Sequence, residues 1–187
     1  MVLTHRYKTA MAAAEIGADF VQYRDKSATH PGVLAQIVKG LEGSKTRLFV
    51  NDRLDWALNY RAAGVWLGRD DAPLSLAENT GLLVGRTLHS AAEYDEVENQ
   101  SFHFAGVGPV FGSRSKNTGL PPLGTAGLKA LANYIARPVI AIGNITPANA
   151  AEVVAAGAAG IAVLSAFEDD PYGVGKKLRR ILDEHGE

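Results

Sequence analysis

The chain contains no cysteine. Disulfides, thiolate metal sites and cysteine nucleophiles are therefore excluded. Charge of one sign is not in excess either, because the formal net charge is −1. No global field draws in nucleic acid or an anionic membrane, so any basic site must be local. No run of about 18 apolar residues occurs, which argues against a membrane-spanning helix. The first residues, Met1 to Arg6, hold no apolar signal core, and a cytoplasmic location is the expectation. His5, His89 and His103 stand apart, none with a Ser or Asp in a triad-like relation. His103 lies in a strand pattern and reads as a core or sheet-face residue. His89 follows a strand end and could touch a ligand.

What remains is an ordinary globular composition: 187 residues, 47% hydrophobic and 21% charged. No composition break or linker divides it, so one domain over 1–187 is expected. Short apolar runs alternate with Ala-rich amphipathic stretches. Strands are expected at Val2–Thr4, Asp19–Tyr23, Arg47–Val50, Gly64–Leu67, Leu82–Gly85, Phe102–Val107, Val139–Ile142 and Gly160–Leu164. Helices are expected at Tyr7–Ile16, Gly32–Leu41, Leu54–Tyr60, Ala91–Glu98, Ala126–Ile135, Pro147–Ala156 and Gly173–Glu184, with a short one after Pro73. Ser90 opens a capping box with Glu93. Thr146-Pro147 reads as an N-cap followed by the first helical position. Gly64 and Gly157 sit where helices should stop. Helix-length links force parallel pairing of the strands. The class is α/β, and a single (β/α)8 TIM barrel fits the count of units. An open flavodoxin-like sheet is the alternative.

In such barrels chemistry sits where the strands end. Gln22-Tyr-Arg-Asp-Lys26 and Asn51-Asp-Arg53 put cations, a carboxylate and amides at two of those ends. Arg24 and Lys26 share a side of the extended chain and suit a diphosphate. A solvated strand end with an ion pair to Asp25 is the plainer reading. Asp52 and Asp71 close adjacent βα units and could hold Mg²⁺ together, since that ion takes one or two carboxylates plus phosphate oxygens. Each could instead cap the next helix, and Asp70 competes with Asp71. Gly112 to Gly124 is irregular; it carries Ser113, Ser115 and Lys116 and could close over a phosphate. Gly143-Asn144 and Leu164-Ser165 end the last two strands, where barrels often bind phosphate on backbone N–H groups. Two anion sites flanking one metal suit two phosphorylated substrates.

Six separated motifs, in order, resemble the thiamine phosphate synthase family and its TenI-like sister group. They are Gln22 to Lys26, Asn51 to Arg53, Gly64 to Asp71, Gly85 to His89, Gly106 to Phe111 with Ser115-Lys116, and Ala141 to Ile145 with Val163 to Ser165. The resemblance implies a TIM barrel that couples a hydroxymethylpyrimidine diphosphate to a thiazole phosphate with Mg²⁺. Implied pyrimidine and diphosphate contacts are Gln22, Arg24, Lys26, Asn51, Thr87 and Lys116. Arg24, Lys26 and Lys116 take the catalytic role of neutralising the leaving group. Implied metal ligands are Asp52 and Asp71. Implied thiazole phosphate contacts are Ser113, Ser115, Gly143, Asn144, Leu164 and Ser165. The partners are small phosphorylated molecules, not nucleic acid or membrane, with a homodimer possible for such barrels. The chain departs from the family pattern at Thr87 (usually Ser), Trp66 (usually His) and Asn144 (usually Gly). A TenI-like thiazole tautomerase is the alternative, although the histidine of that pattern after the sixth strand is Pro109 here. A non-catalytic thiazole phosphate-binding regulator on the same scaffold is the third.

Overall fold

The computed structural model describes residues 1–27, 31–112, 119 and 121–185. Its strands are β1 Val2–Thr4, β2 Phe20–Tyr23, β3 Arg47–Asn51, β4 Gly64–Leu67, β5 Leu83–Leu88, β6 Phe104–Val107, β7 Val139–Ile142 and β8 Gly160–Ala162. All pair in parallel, in chain order, as one sheet of eight. The sheet closes on itself. Val2 bridges Val163, Leu3 N donates to Val163 O at 2.9 Å, and Val163 N donates to Met1 O at 3.1 Å. The expected barrel is present and the open sheet is excluded.

The helices are α1 Tyr7–Glu15, α2 Gly32–Gly40, α3 Leu54–Asn59, α4 Ala91–Asp95, α5 Gly124–Tyr134, α6 Ala150–Ala155, α7 Ser165–Asp169 and α8 Pro171–His185. The segment after Pro73 is a single 3₁₀ turn, Leu74–Leu76. No helix is long and apolar enough to cross a membrane among the described residues.

Period-two alternation sorts each strand into an inner and an outer face. Phe49, Trp66, Ile140 and Ala162 fill the barrel with Leu3, Phe20, Leu83, Phe104 and Ile142 around them. Their aromatic rings meet edge to face, Phe20 and Phe49 with centroids 5.1 Å apart. The neighbours on each strand, such as Val21, Tyr23, Val50, Val65 and Val107, pack outward against the helices.

Several local expectations change. Gly64 does not end a helix; it begins β4, where a Cβ would lie 2.4 Å from the Phe49 ring. Helix α6 starts at Ala150 rather than Pro147; Asn149 holds its N-cap position without a side-chain cap bond, and its Oδ1 accepts backward from Thr146 N at 2.8 Å. Ser90 does cap α4, accepting from Glu93 N at 3.2 Å, but Glu93 Oε2 accepts from His89 N rather than from Ser90 N. Strand β5 runs three residues past Gly85, which carries Thr87 onto the inner face. Strand β8 stops at Ala162, and Ser165 opens α7, an element absent from the sequence reading. His103 is exposed just before β6, with its ring Nδ1 accepting from Val84 N at 3.0 Å.

Candidate active site

The C-terminal ends of the strands surround a cavity of about 310 Å³. Alternation explains its composition. Phe20 points inward, so Gln22 and then Arg24 do the same. Arg24 stays extended because its N–H donates to Thr4 O at 2.9 Å. Phe49 points inward, so Asn51 reaches the mouth. Asp52 then adopts φ 63°, the left-handed region, with its N–H donating to Trp66 O at 2.8 Å. That turn sets its carboxylate facing β2.

Lys26 Nζ donates to Asp52 Oδ2 at 2.5 Å. The solvated alternative for this segment paired a cation with Asp25. Lys26 reaches across to Asp52, and Asp25 Oδ1 accepts from Ser27 N and Ser27 Oγ. Asp71 lies beside Asp52. Its Oδ2 accepts from Gly68 N at 2.6 Å. Burial pushes the Asp71 carboxyl above its ordinary pKa, and neighbouring Asp52 pushes it the same way; the Gly68 N–H and Lys26 pull it back. Neither aspartate caps a helix. Arg53 holds the N-cap position of α3 without a side-chain bond, and Asp71 bonds backward to Gly68. Asp70 is exposed at the same rim, so the turn at Gly68 separates the two candidates that spacing could not.

The cavity floor is Trp66, 4% exposed. Two glycines make room for it: a Cβ at Gly85 would lie 2.2 Å from the indole, and one at Gly106 2.5 Å. Trp66 Nε1 donates to Thr87 Oγ1 at 3.0 Å. His89 lines the wall, its Nδ1 hydrogen-bonded to Gly108 O. Pro109 lines it too.

Backbone builds the opposite wall. Gly143 and Asn144 hold φ 105° and 50°, and both border the cavity with Leu164 and Ser165. A Cβ at Gly143 would lie 2.7 Å from Pro109 Cα, so a side chain is barred there. Asn149 Nδ2 donates to Asn144 O at 3.2 Å and steadies the turn.

Gln22, Arg24, Lys26, Asn51, Asp52, Asp71, Thr87, Gly143, Asn144, Leu164 and Ser165 thus border one cavity. Ser113, Ser115 and Lys116 lie outside the described residues. Sequence reasoning missed Met1, Leu3 and Arg69 on the same cavity. Leu3 was findable from the alternation of β1. Arg69 was findable from its place beside Asp70 at a strand end.

Fold and mouth together define a closed parallel (β/α)8 barrel whose C-terminal rim gathers cationic side chains and backbone turns around two adjacent carboxylates. The chain belongs to the thiamine monophosphate synthase family, whose model matches residues 3–167. It is 36% identical to the thiamine-phosphate synthase of Chloroflexus aurantiacus over 178 residues, 91% of this chain and 82% of that one. It is 39% identical to that of Methanospirillum hungatei over 161 residues, 83% of this chain and 78% of that one. Among solved structures, thiamine phosphate pyrophosphorylase from Pyrococcus furiosus superposes with a TM-score of 0.88 at 30% identity, covering 98% of this chain and 94% of that one.

Proposed function

We propose that this chain is a thiamine phosphate synthase: a transferase that joins 4-amino-5-hydroxymethyl-2-methylpyrimidine diphosphate to a thiazole phosphate. The observation that carries this reading is the convergence of Asp52, Asp71, Lys26 and Arg24 on one rim, facing the Gly143-Asn144 turn across a single cavity.

The donor set suits Mg²⁺. Two carboxylates stand together, and the burial and charge that make Asp71 reluctant to ionise are relieved by a divalent cation. The described residues contain no cluster of three or more His, Cys, Asp or Glu able to hold a metal, so phosphate oxygens and water would complete the shell. Asp52 and Asp71 would hold the ion, which when bound supplies positive charge to the diphosphate.

Arg24 and Lys26 take up the charge that grows on the diphosphate as its bond to the pyrimidine methylene breaks. The family resemblance gives Lys116 the same task. The bonding pair leaves with the diphosphate, and the electron-rich aminopyrimidine stabilises the cation left behind. Gln22, Asn51 and Thr87 hold the pyrimidine over the Trp66 floor. Thr87 Oγ1 already accepts from Trp66, so its own proton is free to point at the substrate. Gly143, Asn144, Leu164 and Ser165, with Ser113 and Ser115, hold the thiazole phosphate so that its ring nitrogen closes the new C–N bond. No protein nucleophile takes part.

The same proposal makes 1–187 one domain, cytoplasmic, acting on small phosphorylated molecules without nucleic acid or membrane, as a monomer or homodimer. The test is purified protein with both substrates and Mg²⁺, assayed for thiamine phosphate and for thiazole tautomer exchange. Thiamine phosphate formation supports the reading. Tautomer exchange or thiazole phosphate binding alone, with no coupled product, overturns it.

A further inference from the structure

Arg86 stands outside the cavity and yet is joined to it. Gly85 and Thr87 face the barrel interior, against Trp66, so alternation turns Arg86 outward from β5 toward the helical layer. Its Nη1 donates to Gly68 O at 2.6 Å. From the peptide unit on its other side, Gly68 donates its N–H to Asp71 Oδ2 at 2.6 Å. One glycine therefore couples a guanidinium to a carboxylate. The fit is close, since a Cβ on Gly68 would lie 3.0 Å from Asp71 Oδ2.

The guanidinium is not there for an ion pair. Among the described residues no salt bridge includes Arg86, and its buried Nε finds no acceptor. Glu93 is engaged instead by His89 N at 2.7 Å and by Arg69. Burial presses the Arg86 pKa down, opposed by the charges of Asp71, Glu93 and Asp70, with Arg69 acting on the side of burial. A half-buried cation without a carboxylate partner is costly to keep. Its strongest contact is the Gly68 carbonyl.

We propose that Arg86 is a positioning residue: by clamping Gly68 it holds the Asp71 carboxylate beside Asp52 and so sets the affinity of that pair for a divalent cation. The proposal rests on the metal role assigned above to Asp52 and Asp71. A cation on the carbonyl restrains the Gly68 backbone and so fixes the direction in which its N–H points. One oxygen of Asp71 is thereby committed to Gly68, which holds the carboxyl group beside Asp52. Lysine at this place keeps the charge and one donor but not the planar fork.

The test measures Mn²⁺ binding to substrate-free protein, from the electron paramagnetic resonance signal of the free ion, for wild type, Arg86→Leu, Arg86→Lys and Asp52→Asn. Thiazole phosphate binding by calorimetry and thermal melting are followed in parallel. Arg86→Leu should weaken Mn²⁺ by about 10-fold or more, as loss of a group that orients a metal ligand does. Thiazole phosphate binding should not change, and Arg86→Lys should recover part of the Mn²⁺ loss. Should the leucine variant fail to fold, Arg86→Gln, which keeps a donor without the charge, is read in its place with the same expectation. Unchanged Mn²⁺ affinity in a folded variant, or an equal loss of thiazole phosphate binding, overturns the proposal. Unchanged Mn²⁺ affinity in Asp52→Asn would sink the metal reading itself, which keeps the two failures apart.

Discussion

Under the proposed function, the two walls of the cavity would bind anions by different means. The wall from β2 to β4 is made of side chains: Arg24, Lys26, Asn51, Asp52 and Asp71. The wall from β7 to β8 is made of backbone, with Gly143 and Asn144 at positive φ and Leu164 and Ser165 beside them. Full charges on flexible stems can follow a group that leaves, as a diphosphate must. Peptide N–H groups set by the turn can only hold a group that stays. The contrast therefore matches a substrate that breaks on one side and one that is merely retained on the other. It also predicts unequal sensitivity to substitution, because a side-chain wall can lose its function through one residue and a backbone wall cannot.

The largest effect is expected at Asp52. Asp52→Asn removes the partner of Lys26 and half of the carboxylate pair. Turnover should fall on the order of 10²–10³-fold or more, with thiazole phosphate affinity preserved in calorimetry. A parallel loss of both would erase the distinction between the walls. Lys26→Met comes next. It leaves Asp52 and Asp71 facing each other without their cation, and the rate should fall by about 10²-fold. A higher Mg²⁺ requirement would accompany that loss only if Lys26 competes with the ion less than it assists the diphosphate. Titrating Mg²⁺ against rate in this variant decides which contribution dominates.

The side-chain wall was the more legible in the sequence, and the reason is physical. Alternation along β2 and β3 settles which of Gln22, Tyr23 and Arg24 face inward, and hydrophobic runs mark where each strand ends. What could not be read is whatever depends on contacts across the sheet. Asp52 could have capped α3; its left-handed turn against Trp66 O decides otherwise. Asp70 and Asp71 are equivalent by spacing, and only the hydrogen bond to Gly68 N separates them. Gly64 looked like a helix stop because its neighbour in space, Phe49, is fifteen positions away in the chain. Arg86 sat in view inside the Gly85 to His89 motif, but its contact with Gly68 lies at the end of the neighbouring strand β4. The start of α6 was misplaced because the chain makes only a turn over 147–149 before the helix begins, tied by Asn149 Oδ1 to Thr146 N.

The floor shared by both walls gives a smaller effect and a different signature. Gly106→Ala would put a methyl 2.5 Å from the Trp66 ring, and the barrel must shift to admit it. Overpacking of this kind costs about 1–3 kcal/mol in stability. Combining it with Trp66→Phe should recover much of the loss in a thermal melt, since the smaller ring vacates the space. Because Trp66 lies at the base of the one cavity that both walls border, binding of the two substrates should weaken together. A loss confined to one substrate would show that the floor belongs to one wall.

The smallest effect is expected on the backbone wall. Asn144 holds φ 50°, a conformation that Asn tolerates and Gly adopts freely. Its carbonyl is tied to Asn149 Nδ2 at 3.2 Å, and Asn149 Oδ1 takes Thr146 N at 2.8 Å. The turn is thus held by Asn149 rather than by the Asn144 side chain, and Asn144→Gly should keep its shape. Relief of the left-handed strain and the added freedom of the unfolded chain act in opposite directions, so stability should move by less than about 1 kcal/mol. The exposed Asn144 side chain borders the cavity, where under the proposed function it would narrow the space for a phosphate. Its removal should tighten thiazole phosphate by a modest factor in calorimetry and leave the pyrimidine diphosphate untouched. Weaker binding would mean that the Asn144 amide itself donates to the phosphate, and the wall would then be only partly backbone.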